Sequence, residues 1–204
     1  MGKLMLILGG ARSGKSAYAQ RLAEKHGGQV TFLATAAAGD EEMRVRIARH
    51  RSERPQAWST REIQHGIAAA LQYDPLHAEH AEVVLLDCVT LLVSNLLLLD
   101  GVDEPDERVV SARVESEMSA LLAFIENDMA EWIVVSNEVG LGLVPPTPLG
   151  RIYRDLLGRA NCALAARADK VIWMVAGIPV PIESCRETPD TDSTNAHGFS
   201  SALP

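Results

Sequence analysis

The chain has 204 residues, 47% of them hydrophobic, and a formal net charge of −8. That length and apolar content suit one globular domain, or at most two, with a full core, and the acidic balance lacks the broad basic footprint of a nucleic-acid binder. The cysteines, Cys88, Cys162 and Cys185, have neither metal-ligand spacing nor an even disulfide framework, and they fit reduced thiols in a cytoplasmic protein.

The apolar run at the amino end is about five residues, shorter than a signal-peptide core. Continuous apolar runs at Leu4–Leu8, Val30–Ala34, Val83–Leu86, Trp132–Val135 and Val171–Ala176 predict strands. They lack period-two alternation, which marks strands buried on both faces of a parallel sheet. Between them the patterns predict helices at Lys15–His26, Asp40–Ser52, Arg61–Gln72, Thr90–Leu99, Glu107–Asn127 and Leu149–Ala168. The run Val83–Leu99 is interrupted by Asp87, Ser94 and Asn95 and falls short of a membrane span. This alternation predicts a single-domain α/β fold over residues 1–182, with a mainly parallel sheet and helices on both faces. Residues 183–204 are polar and aperiodic, and are expected to form a disordered tail.

The first strand runs into "GGARSGKS", Gly9–Ser16, which satisfies G-x-x-x-x-G-K-[ST] in full. The candidate phosphate cradle is Gly9, Gly10, Ala11, Arg12, Ser13 and Gly14, whose backbone N–H groups can face phosphate oxygens at the start of a helix. Lys15 would reach the β- and γ-phosphates, and Ser16 would bind Mg²⁺. "EVVLLDCVT" places Asp87 at a strand end, where it is either a second Mg²⁺ contact or a cap for the next helix. "VVSNEVG" puts Asn137 and Glu138 at another strand end, a candidate site rim.

Arg44, Arg46, Arg49, Arg51 and Arg54 crowd one short segment of an acidic chain. Guanidinium forks match phosphate geometry; a solvated helix face balanced by Glu41, Glu42 and Glu53 is the alternative. His50 shares a helical face with Met43 and Ile47. It is either a core histidine or a neutral imidazole kept deprotonated by the arginines and able to act as a nucleophile.

"GGARSGKS", "ATA" at Ala34–Ala36, "HRSERP" at His50–Pro55 followed by Trp58, "LLDCVT" at Leu85–Thr90, "VSNEVGLGLVP" at Val135–Pro145 and "AGIPVPI" at Ala176–Ile182 occur in one order. Together they resemble the bifunctional adenosylcobinamide kinase/adenosylcobinamide-phosphate guanylyltransferase family of cobalamin biosynthesis. The resemblance implies a RecA-like P-loop fold, a homotrimer, and two reactions. In the first, ATP or GTP phosphorylates adenosylcobinamide. In the second, GTP transfers GMP to adenosylcobinamide phosphate through a guanylyl-histidine, here His50. By the same matching, Ala34, Thr35, Ala36, Arg51, Ser52, Glu53, Arg54, Glu62 and Asp87 join Gly9–Ser16 around the GTP. Cys162 departs from the family pattern, where glutamine is expected. The rival readings are another P-loop small-molecule kinase and a RecA-like motor or regulatory module. The first leaves His50 and its arginines without a role, and the acidic charge weighs against a nucleic-acid-stimulated form of the second.

Overall fold

A computed structural model describes residues 3–36, 51, 54–74, 81–102 and 105–182. In chain order the elements are β1 (Lys3–Gly9), α1 (Lys15–His26), β2 (Val30–Ala34), β3 (Ser59–Glu62), α2 (Ile67–Gln72), β4 (Val83–Asp87), α3 (Val89–Leu97), α4 (Glu107–Asn127), β5 (Glu131–Val135), α5 (Pro148–Arg167), β6 (Lys170–Val175) and β7 (Ile178–Ile182). They build one seven-stranded sheet in the order β3-β2-β4-β5-β1-β6-β7. All neighbours are parallel except β6 and β7, which form an antiparallel hairpin.

The central strands are apolar throughout because both of their faces are covered. One face carries α1, with Ala19 and Ala23 packed among Ile7, Phe32, Leu85, Ile133, Val135 and Met174. On the other face α2, α3, α4 and α5 bury Ile67, Leu92, Val114, Leu121, Leu157 and Leu164 against Leu6, Leu33, Leu86, Trp132 and Val134. Parallel strands place their carboxyl ends along one edge of the sheet, where ligands of such folds bind. The ends of β1, β2, β4 and β5 lie together there.

The five expected strands are present within a residue or two. Two expectations need correction. The helix expected over 61–72 is a strand at Ser59–Glu62 followed by a short helix that starts only at Ile67. The strand STRE is polar because it lies at the sheet edge, half exposed, and its pairing with β2 rather than any apolar run defines it. The end of the chain's apolar run at Ala176 is a turn, not a strand end. Ala176 and Gly177, at φ 50° and 83°, reverse the chain into β7, whose alternating prolines hide its strand character from sequence patterns. The expected helix over 40–52 lies outside the described residues apart from Arg51, as does the tail 183–204.

Candidate functional site: a phosphate loop faced by Asp87 and Arg54

β1 ends at Gly9, where the backbone has φ 152° and leaves the strand. A Cβ at this position would lie 2.5 Å from the carbonyl oxygen of Met174 on β6, so only glycine lets the loop pass the neighbouring strand. The loop then folds on itself, the Ser13 N–H donating to the Gly10 carbonyl at 3.3 Å. Gly14, at φ 91°, starts α1 in place of a capping side chain, and the first turn of α1 holds no acidic residue. The helix therefore offers its first amides to an anion, with no carboxylate competing in that turn. The Lys15 ammonium is buried and donates to the Gly10 carbonyl at 2.6 Å, so the cation lies across the loop. The β6–β7 turn supports the cradle from outside, with Gly177 N–H donating to the Ser13 carbonyl at 3.0 Å.

Asp87 ends β4, two strands away from the loop. The register aligns Ile7 of β1 with Val135 of β5, and Val135 with Asp87. Residues directly opposite one another share a sheet face, so the Asp87 side chain lies on the α1 face with Ile7 and Val135. Thr35, fully buried at the end of β2, fixes the backbone beside it. Its hydroxyl accepts from the Cys88 N–H at 2.9 Å and donates to the Cys88 carbonyl at 2.7 Å. Asn95 on α3 uses one amide group to bind two neighbouring segments, donating to the Thr35 carbonyl at 2.8 Å and to the Gln64 carbonyl at 3.0 Å. Ile63 N–H donates to the Ala34 carbonyl at 2.9 Å and continues the pairing past Glu62. Ala34 is buried, Ala36 half-buried, and Arg51 pairs with Glu62 at 3.6 Å on the exposed rim.

Arg54 lies on the same face. Its guanidinium stacks 3.5 Å from the centroid of the Phe32 ring, and its buried Nε has no hydrogen-bond partner among the described residues. Burial lowers its pKa from the ordinary arginine value; the negative field of Asp87 and, more weakly, Glu62 opposes that, while Arg51 adds to the lowering. A half-buried cation with an idle donor is suited to an anion. His50, Ser52 and Glu53 lie outside the described residues.

Sequence reasoning treated Asn137 and Glu138 only as a rim and missed the side chains that hold them. Thr90 Oγ1 accepts from the Asn137 N–H at 2.8 Å, and Asn161 Nδ2 donates to the Asn137 carbonyl at 2.9 Å. Tyr153 Oη donates to the Thr90 carbonyl at 3.2 Å, and burial pushes its phenol up to about 12. Cys88 next to Asp87 is half-buried, and its desolvation pushes the thiol up to about 11, which leaves it protonated near neutrality. Cys162 is exposed on α5, beside Asn161. Thr90, Tyr153 and Asn161 are far apart in sequence and share no spacing, so only the fold brings them together. The Glu138 N–H donates to the Gly9 carbonyl at 3.1 Å, which joins this network to the phosphate loop.

Ser16 lies in the first turn of α1 and offers a hydroxyl, and Asp87 at the end of β4 offers a carboxylate. These are hard oxygen donors of the type that would suit Mg²⁺, which would neutralise phosphate charge there.

A family model described as "Cobinamide kinase / cobinamide phosphate guanyltransferase" matches residues 5–182. The chain belongs to this family. A "Bifunctional adenosylcobalamin biosynthesis protein CobP" of Pseudomonas aeruginosa is 45% identical over 178 residues, covering 87% of this chain and 96% of that protein. A "Bifunctional adenosylcobalamin biosynthesis protein CobU" of Escherichia coli is 40% identical over 184 residues, covering 88% of this chain and 99% of that protein. Its counterpart in Salmonella typhimurium is 37% identical over the same length. As a member of the cobinamide kinase family, the chain carries every position of the phosphate-loop motif and both strand-end motifs within the matched span. Among the described residues no helix is long and apolar enough to cross a membrane.

Proposed function

We propose that the chain phosphorylates adenosylcobinamide and then transfers GMP from GTP to the resulting phosphate, giving adenosylcobinamide-GDP. The observation that carries this reading is the placement of Arg54 on Phe32 in the field of Asp87, on the sheet face that also holds α1 and Lys15. A simple kinase needs the phosphate loop and an acidic strand end. A second phosphate-directed cation from the HRSERP segment fits an enzyme that also works on the α-phosphate.

In the first step the acceptor hydroxyl oxygen attacks the γ-phosphorus, the bond to the β-phosphate oxygen breaks, and the hydroxyl proton is released. Lys15 and the loop amides stabilise charge on the transferring group. Ser16 and Asp87 would hold Mg²⁺, which neutralises phosphate charge when bound. In the second step a nucleophile attacks the α-phosphorus and pyrophosphate leaves. We assign that nucleophile to His50, with Arg51 and Arg54 balancing phosphate charge. Covalent catalysis divides the transfer into two displacements. Ala34, Thr35, Ala36, Ser52, Glu53 and Glu62 complete the proposed GTP site.

We further propose a cytoplasmic homotrimer, supported by the exposed Ile178, Val180 and Ile182 of β7, and a functional unit that ends at Ile182, where the family match also ends. Light scattering tests the first proposal and truncation after Ile182 the second.

Incubation with GTP labelled in the α-phosphate, without acceptor, tests the histidine. The wild-type protein should retain a label that mild acid releases and alkali spares, the behaviour of a P–N bond. His50→Asn should take up no label yet still phosphorylate adenosylcobinamide. An acid-labile adduct on the His50→Asn protein would move the nucleophile elsewhere, with His65 the first candidate.

A further inference from the structure

Between β5 and α5 the chain exposes three large aliphatic side chains within four residues: Leu141 at 81%, Leu143 at 97% and Val144 at 64%. Single exposed leucines are ordinary, but a contiguous group is not. The segment that carries them is built, not slack. The Glu138 carboxylate accepts from the Gly140 N–H at 2.5 Å and the Leu141 N–H at 3.1 Å. Arg151 donates to the carbonyls of Pro145 and Pro146 at 3.1 and 3.0 Å. Thr147 Oγ1 accepts from the Gly150 N–H at 3.2 Å, and a Cβ on Gly150 would lie 2.8 Å from Pro145 Cβ. Both ends of the loop are therefore pinned while its apolar side chains stand in water.

Its position is as informative as its composition. Glu138, at the loop's start, donates to the Gly9 carbonyl, and the Lys15 ammonium donates to the next carbonyl, Gly10. The loop thus leaves the sheet beside the part of the cradle where the lysine marks the phosphoryl group to be transferred. An acceptor hydroxyl has to arrive at that point, and the rest of the acceptor must lie on whatever flanks it.

We propose that Leu141, Leu143 and Val144 form the seat for the acceptor's macrocycle: a flat ring with methyl-bearing apolar faces and a polar amide rim, carrying the reactive hydroxyl on a flexible arm. This rests on the kinase reading above and names the acceptor surface of that same site. The aliphatic side chains cover a ring face while the amide rim stays in water. A second copy of the chain seated on this loop would crowd the entrance that the acceptor has to use.

The test is the double variant Leu141→Ser/Leu143→Ser. Both side chains are solvated, so the fold does not depend on them. Cobinamide binding is read by equilibrium dialysis through the ring's visible absorption, GTP binding by fluorescence, and mass by light scattering. The variant should bind cobinamide at least tenfold more weakly, with GTP affinity and mass unchanged, and Leu143→Met alone should keep affinity within about threefold of wild type, because methionine conserves apolar volume. Unchanged cobinamide affinity in the double variant overturns the seat and leaves the kinase reading standing. A wild-type protein that binds no cobinamide overturns both. A fall in mass in the variant assigns the loop to contact between copies and overturns the seat.

Discussion

The guanidinium carbon of Arg54 lies 3.5 Å from the centroid of the Phe32 ring, so a cation from outside the sheet is stacked on an aromatic side chain of β2. Phe32 is itself buried and packs with the α1 side of the sheet. The ring holds the guanidinium plane in place, and the idle Nε remains available to an anion. Arg54→Lys keeps the charge but loses the planar fork and the stacking. A charge-assisted hydrogen bond is worth about 1.5–3 kcal/mol, so GTP affinity should fall about 10- to 100-fold. Calorimetric titration with GTP checks this; unchanged affinity would remove Arg54 from the site.

Lys15→Ala removes the buried ammonium that crosses the phosphate loop. Loss of one preorganised donor of this kind costs about 100- to 1,000-fold in rate. Phosphorylation of adenosylcobinamide should drop by that factor while the thermal midpoint stays near wild type, as measured by single-turnover kinetics beside a melting curve.

Asn95→Leu separates two roles. The asparagine amide ties the Thr35 carbonyl to the Gln64 carbonyl, and its loss leaves both without that donor. At about 1 kcal/mol per hydrogen bond, stability should fall by about 2 kcal/mol. Because Thr35 also clamps the backbone beside Asp87, the KM for nucleotide should rise more than kcat falls. Denaturant unfolding and steady-state kinetics on one preparation read the two effects separately.

Alkaline stability reports on Cys88. Its thiol is raised from 9.0 to about 11 in the folded chain, first by burial and then by the negative charge of Asp87. The unfolded chain therefore releases this proton at lower pH. The folded state keeps the full benefit below pH 9 and loses it between about 9 and 11. Two units correspond to about 3 kcal/mol. Stability of the wild type should fall across that window, and Cys88→Ala should flatten the fall. Tyr153, raised from 10.0 to about 12, contributes a second decline at higher pH that Cys88→Ala leaves in place.

The buried strands and the phosphate loop were legible in sequence because both are local. Leu4–Leu8 is apolar on both faces wherever it stands in a sheet, and Gly9–Ser16 carries its own spacing. What was not legible is decided by distant partners. STRE becomes a strand only because β2 lies beside it, and IPVPI only because a turn of Ala176 and Gly177 folds it onto β6. In the site, Asp87 and Arg54 could be named from motifs. The clamp of Thr35 on Cys88, the double contact of Asn95 and the Asn161–Asn137 tie join residues tens of positions apart, with no periodicity to announce them.

The hairpin of β6 and β7 also determines how the sheet ends. Val175 pairs with Ile178, Trp173 with Val180 and Val171 with Ile182 across the turn, and these alternate residues of β7 point their N–H groups inward to β6. The residues whose nitrogens point away are Pro179 and Pro181, which carry no proton there. A row that would otherwise recruit another strand is left without donors along its outer side. The last strand can therefore present apolar side chains to a partner's surface while its backbone refuses to template a further strand, which guards a sheet with an open edge against runaway polymerisation.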